Sequence, residues 1–390
     1  MRSDEFMTNR RCFCASLVAA LPAAFGQQRP SEVESLVYFG TYTRNKSKGI
    51  YLSRFTASDG KLSPPELVAE TINPSFVALH PKGQFLYAVG ETNTFQGQKT
   101  GFVAAFSIDR VTGKLKLLNQ LSSRGGGPCH LVVDRTGRNL LVANYGTGSV
   151  ACFPLKPDGS ISESSAFIQH TGSGPDRSRQ PAPHAHQVVM SPDNRFAFVP
   201  DLGLDSIMIY RFDPSKGTLT PHDPPLAKTA PGSGPRHMAF HPKGRFAYVI
   251  CEMGNSVTAF SYHAAEGTFK ELQTETTLPK DFKGDSSTAE IEVHPNGRFL
   301  YGSNRGHDSI VRYSIDAAKG TMTYVENVPT QGRTPRCFAI DPSGSFLIVL
   351  NEESDNVVGF KIDAQTGGLT PTGQTLEVGA PVCLRFLSRR

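Results

Sequence analysis

Short runs of alternating apolar and polar residues recur along the chain at nearly even intervals. In each, a first run places apolar residues at every second position, as in Met238 and Phe240, Ile291 and Val293, or Phe338 and Ile340. Period-two alternation predicts a strand with one buried face. A turn such as His241-Pro242-Lys243-Gly244 or His294-Pro295-Asn296-Gly297 follows, with glycine free to take a positive φ. The second run is aromatic and β-branched: Phe85-Leu-Tyr-Ala-Val, Phe246-Ala-Tyr-Val-Ile and Phe346-Leu-Ile-Val-Leu. A third strand is predicted at Ser149, Ser206, Ser256 and Ser309, each opening a similar apolar stretch, and a short fourth strand follows a glycine turn, as at Gly113.

Anchored on Pro235, the unit recurs at Pro74, Pro128, Ala185, Pro235, Thr288, Pro335 and Pro381, with spacings of 54, 57, 50, 53, 47 and 46 residues. Such intervals fit four-stranded propeller blades and are too long for most solenoid repeats. The ends complete the count. Residues 36–42 read as a second strand with no first strand before it, and residues 381–387 as a first strand with no second after it. Paired, they predict an all-β, seven-bladed β-propeller whose ring is closed by its N- and C-terminal strands, which leaves no open sheet edge. The expected domain is residues 33–388, after a linker at 27–32.

Residues 1–26 predict a signal peptide. Arg10 and Arg11 precede an apolar run from Cys12 to Phe25, with small residues near Gly26. The run is too short to span a bilayer, and Arg10-Arg11-Cys12-Phe13 resembles a twin-arginine export signal. The expected location is the periplasm or beyond, with the cytoplasm as the alternative, and nothing later in the chain reads as transmembrane. The net charge is only +5, and no basic block or RNA-reading aromatic motif stands out, so nucleic acid is not an expected partner. Cys129, Cys152, Cys251, Cys337 and Cys383 are scattered without metal-binding spacing. They read as small buried hydrophobes.

The hairpin places the residue opening the first strand and the residue closing the second at the same rim. The opening positions are Ser75, Cys129, His186, Arg236, Ala289, Arg336 and Val382; the closing ones are Glu91, Tyr145, Leu202, Glu252, Arg305, Glu352 and Tyr42. Polar groups concentrate on successive blades, with His186, then Arg236 and Glu252, then Arg305, then Arg336 and Glu352. These predict a polar site at the channel mouth. His130, His184 and His237 lie close in sequence and are candidates to contact the substrate or to support the residues that do, and Arg336 is a candidate substrate contact. His80, His241 and His294 fall in the turn, at the far end of the hairpin, and read as structural. Glu91, Glu252, Glu290 and Glu352 offer oxygen ligands for a cation, but the neighbouring arginines oppose one, so neither a metal nor another cofactor is expected.

The ordered set of Pro235-Arg-His-Met-Ala-Phe-His-Pro242, His184-Ala-His186 before Ser191-Pro-Asp-Asn-Arg195, Cys251-Glu252, Ser303-Asn-Arg305 and Thr334-Pro-Arg336 resembles bacterial propeller-type 6-phosphogluconolactonases and the related fungal carboxymuconate-lactonizing enzymes. The resemblance spans nearly the whole chain after residue 26. It implies a catalytic set of His186, Arg236, Glu252 and Arg305, with Arg336 a rival for the last, and a small lactone as substrate. Ala185 and Thr288 replace the proline usual at their positions.

Chemically, His186 suits a general base near neutral pH. The arginines suit a carboxylate, a phosphate or a developing oxyanion. Glu252 would orient His186 or an arginine, or act as an acid if burial raises its pKa. No Gly-x-Ser-x-Gly nucleophile motif occurs, which favours direct attack by water. Three functions stay open: a lactone hydrolase, a muconate-type cycloisomerase, and a non-catalytic binding propeller. The absence of tryptophan argues against a broad aromatic docking rim.

Overall fold

A computed structural model describes residues 34–44 and 46–388. The segments expected to be a signal peptide and linker lie outside them. Seven antiparallel sheets follow one another along the chain. Six have four strands in simple up-and-down order, for example Pro235–Phe240, Phe246–Cys251, Ser256–His263 and Thr268–Thr276. In the seventh, Pro381–Ser388 pairs with Glu34–Thr41, Ser35 opposite Ser388 and Phe39 opposite Leu384. The ring is thus closed by the two ends of the described chain, as the orphan strands required. Among the described residues no helix is long and apolar enough to cross a membrane.

Second strands are the most buried. Phe246–Cys251 and Phe346–Asn351 are buried at every position, because each is covered by a neighbouring blade on both faces. That explains runs such as Ala-Tyr-Val-Ile, where alternation gives way to continuous apolarity. Fourth strands lie outermost and show alternate exposure, as in Leu369–Glu377.

Two hydrogen-bonded ties recur between adjacent blades. Tyr38, Tyr87, Tyr248 and Tyr301 each donate a hydroxyl proton to a turn-glycine carbonyl, of Gly113, Gly159, Gly320 and Gly367, at 2.7–3.1 Å. The glycine is required there: at Gly320 φ is +75°, and a Cβ would lie 2.2 Å from the Phe246 ring. The second tie uses the turn histidines. Nε2 of His80, His241 and His294 donates to the carbonyls of Gly137, Gly297 and Gly344 at 2.8–3.0 Å, while Nδ1 accepts a backbone N–H two residues on. Both nitrogens are satisfied, so the structural reading of these histidines holds. All five cysteines from Cys129 onward are free and buried.

Tyr248→Phe is expected to cost about 1–2 kcal/mol, since it strands the buried Gly320 carbonyl without its donor. A urea midpoint within error of the parent would show that the tie contributes nothing.

Candidate active site at the channel mouth

The residues opening the first strands do not follow the regular pleat. Pro235 pairs with Cys251 and His237 with Ile250, which leaves Arg236 as an extra residue in the ladder. Arg336 is left over in the same way between Pro335 and Cys337, Cys129 between Pro128 and His130, and Val382 between Pro381 and Cys383. Between Thr288 and Ile291 the register also slips, at Ala289 and Glu290. A β-bulge re-aims side chains at a strand end. Here it lets consecutive residues, Arg236 with His237, line the same channel.

A cavity of about 170 Å³ lies at this mouth, lined by Glu91, Cys129, Tyr145, His186, Glu252, Arg305 and Arg336. Glu252 is its electrostatic hub. Arg236 donates through Nε to Glu252 Oε2 at 3.1 Å, and Arg305 Nη2 approaches the same oxygen at 2.9 Å. Arg179 Nη2 donates to Oε1 at 2.6 Å. Burial pushes the Glu252 pKa up, but Arg305 and Arg236, then Arg179, outweigh it and hold the carboxyl at about 2. Glu252 is therefore an anion that fixes arginines. The expectation that it might act as an acid with a raised pKa is corrected by that direction, and it makes no bond to His186.

The two deep arginines at this hub are also tied to the backbone. Arg236 Nη1 donates to the Ala289 carbonyl at 2.8 Å and Arg305 Nη2 to that of Thr288 at 2.7 Å. Arg305 Nε is buried and has no hydrogen-bond partner among the described residues. Burial, offset by Glu252, leaves the Arg305 pKa lowered to about 10, so its guanidinium stays charged at neutral pH.

Arg336 occupies the opposite wall. Its Nη2 donates to the Tyr42 hydroxyl at 2.9 Å. That hydroxyl lies 3.0–3.1 Å from both Glu91 oxygens and donates to them, and Ser75 Oγ also donates to Glu91. Despite burial, the contact with the Tyr42 hydroxyl and the carboxylates of Glu91 and Glu352 push the Arg336 pKa up. Arg305 and Arg336 both line the cavity, so the structure joins the two rivals in one site.

His186 is buried in the wall between these groups. Its Nδ1 lies 3.7 Å from Cys129 Sγ, and Tyr145 meets the ring edge-on at 5.3 Å. Burial first, then Arg236, His237 and Arg336, push its pKa well below the usual histidine value. It is a neutral imidazole at pH 7.

The three remaining histidines are not equivalent. His184 stacks on Tyr145 at 4.5 Å and meets its backbone carbonyl through Nδ1 at 2.9 Å. It does not line the cavity and supports the Tyr145 wall. His130 sits below the mouth against Phe76 at 4.0 Å, and its Nδ1 accepts the Val188 N–H at 3.4 Å; it faces the chamber of about 610 Å³ at the other side of the channel. His237 lies between, beside a space of about 10 Å³ that it shares with His186, Arg236, Glu290 and Arg336. Neither His130 nor His184 lines the 170 Å³ cavity.

Two functional candidates were not singled out from sequence. Arg179 belongs to the segment joining the third and fourth blades, outside every repeat; the long 57-residue spacing there was its only signal. Its neighbour Gln180 is fully buried and donates to Leu202 O and Asp205 Oδ1, both at 2.8 Å. That anchors the loop and delivers Arg179 to the rim. Glu290 was considered only as a cation ligand and instead pairs with His237 at 2.9 Å. Among the described residues no group of three or more His, Cys, Asp or Glu side chains is arranged to hold a metal ion.

Residues 36–386 match the family described as lactonase, 7-bladed beta-propeller. The chain belongs to this lactonase family. A 6-phosphogluconolactonase of Bacillus subtilis is 40% identical over 350 residues, covering 90% of this chain and 97% of its own length. A 6-phosphogluconolactonase of Formosa agariphila is 37% identical over 310 residues, covering 78% and 86%. The solved structure of a periplasmic gluconolactonase of Pseudomonas aeruginosa superposes with a TM-score of 0.86 at 36% identity, covering 92% of this chain and all of that one. The resemblance seen in the ordered motifs is thereby borne out across the propeller.

Proposed function

We propose that this lactonase hydrolyses a sugar lactone, gluconolactone or its 6-phosphate, by direct attack of water in the 170 Å³ cavity. The observation that carries the reading is a cavity lined by Arg305, Arg336 and a neutral imidazole, with Arg236 beside the smaller space that adjoins His186. An ester carbonyl gains negative charge as water adds to it. Fixed guanidinium groups stabilise that charge best when held in place beforehand, and Glu252 holds two of the three while remaining ionised. Arg305 and Arg336, which line the cavity, supply donors for the carbonyl oxygen. His186 takes the proton from the attacking water. The half-exposed rim arginines Arg179 and Arg44 are each paired with a carboxylate, of Glu252 and Glu352. The named relatives are gluconolactonases, which weighs against the cycloisomerase reading.

We further propose that the protein works outside the cytoplasm, as the Arg10-Arg11 leader and the periplasmic Pseudomonas relative suggest. An unphosphorylated sugar lactone is then the substrate to expect. Proton release would be followed for glucono-1,5-lactone, 6-phosphogluconolactone and muconolactone, with and without a chelator. Chelator-resistant hydrolysis of glucono-1,5-lactone is the expected result. Absence of turnover on the whole panel would sink the hydrolase reading.

A further inference from the structure

We propose that His237 and Glu290 form a second base, one layer below His186, that receives the proton His186 removes from water and returns it to the leaving alkoxide. The inference rests on the hydrolase reading above. It begins with an unmet hydrogen bond. His237 is 3% exposed. Its Nδ1 faces Glu290 Oε1 at 2.9 Å, so Nδ1 carries the proton and Nε2 the lone pair. That Nε2 is buried and has no partner among the described residues. A buried acceptor left bare is costly.

The space beside His237 holds about one water. Its volume of about 10 Å³ is close to the minimum for a single molecule. His186 and His237 both line it, together with Ser75, Glu91, Arg236 and Glu290, and the two rings are 5.2 Å apart at their centroids, edge to face. No hydrogen bond joins the two rings directly, since His237 Nε2 has no partner among the described residues, and the space that both line has room for one bridging water.

The two imidazoles differ in what surrounds them. His186 has Arg236 and Arg336 as charged neighbours and no carboxylate bonded to it, so a proton on it is poorly tolerated. His237 also feels burial, Arg236 and Arg336, and has His130 at 5.5 Å and Phe76 at 6.2 Å. Glu290, however, opposes these by favouring the imidazolium. Glu290, though buried, has its pKa lowered by the charge and hydrogen-bond coupling to His237 and by Arg385 and Arg236. The charge created by deprotonating water is therefore better placed on His237.

The sequence of events balances. Water gives a proton to His186 as its oxygen bonds the lactone carbonyl carbon. The proton passes through the bridging water to His237 Nε2. The ring C–O bond then breaks, and the alkoxide takes the proton back along the same path, leaving hydroxy acid and both histidines neutral. His237 acts through His186 and is a positioning residue, not one that touches the lactone.

The test compares the parent protein with Glu290→Gln and His237→Gln, using glucono-1,5-lactone across pH 5 to 9. Glu290→Gln keeps the side-chain volume and the bond to Nδ1 but removes the charge. The expected result is a fall in kcat of tenfold or more in both variants with KM within twofold. In Glu290→Gln the acid limb of the kcat profile should also move to lower pH, because loss of the carboxylate weakens the base. A merely structural role would not move the limb. Wild-type kcat and an unmoved limb in Glu290→Gln would overturn the proposal while leaving the hydrolase reading intact. A parent protein without turnover would overturn both.

Discussion

Glu252→Ala is expected to lose about 3–5 kcal/mol of stability at pH 7 and at least a hundredfold in turnover. The magnitude follows from what remains after truncation. Arg236 and Arg305 have side chains only 3% and 15% exposed, and removing one member of a buried ion pair leaves the others uncompensated. Arg179, with 43% of its side chain exposed, can turn to water and contributes little to the loss. The sign of the pH dependence provides a second check. Glu252 is held at about 2 in the folded protein against 4.5 for an ordinary glutamate. Its stabilisation is complete above the higher value and is lost as pH falls through the lower one. The stability gap between parent and variant should therefore narrow from pH 4.5 towards pH 2. Urea titrations at pH 7, 4.5 and 3 would show it. A variant within about 0.5 kcal/mol of the parent at pH 7 would mean that the arginines are held by their backbone carbonyls alone.

The same cluster shows where sequence reading succeeds and where it stops. Blade count, ring closure and the two rim columns were legible because they depend on periodicity. Phe246-Ala-Tyr-Val-Ile must be a buried strand, and His241 must then lie a full strand length from Glu252. The bulges were not legible. An extra residue at Arg236 or Arg336 leaves no mark on apolar alternation, because the bulge lies at the first turn of pairing, before the alternating positions begin. Sequence therefore placed Arg236 at the mouth but did not show that its neighbour His237 shares the channel. Nor could it show that Glu290 follows Ala289 inward. Arg179 was hidden for a different reason. It reaches Glu252 from a connection between blades, across 73 residues of chain, and no local pattern encodes such a contact. His130 and His184, singled out for nearness in sequence to a site residue, do not line the 170 Å³ cavity, although His184 stacks on its Tyr145 wall.

His186→Ala should abolish most turnover, about 10²–10⁴-fold in kcat, with the fold retained. The ring lines a cavity rather than a packed core, so its removal enlarges an existing space and leaves the inter-blade ties untouched. The backbone contribution also survives: His186 N donates to the Pro200 carbonyl at 3.0 Å in any variant except proline. A pH profile separates this role from a purely electrostatic one. Burial and the facing Arg236, His237 and Arg336 depress the His186 pKa well below 6.5, so the base is already deprotonated at neutral pH. Parent activity should stay flat on cooling the pH from 8 to 6 and decline only below that. Were the arginines alone responsible for catalysis, His186→Ala would retain most of the parent kcat, since deleting a neutral ring leaves their charge in place. Arg236→Lys distinguishes the two contributions further. A lysine cannot reach both Glu252 Oε2 and the Ala289 carbonyl as the forked guanidinium does, so it should lower kcat while keeping the neutral-pH plateau that His186 sets.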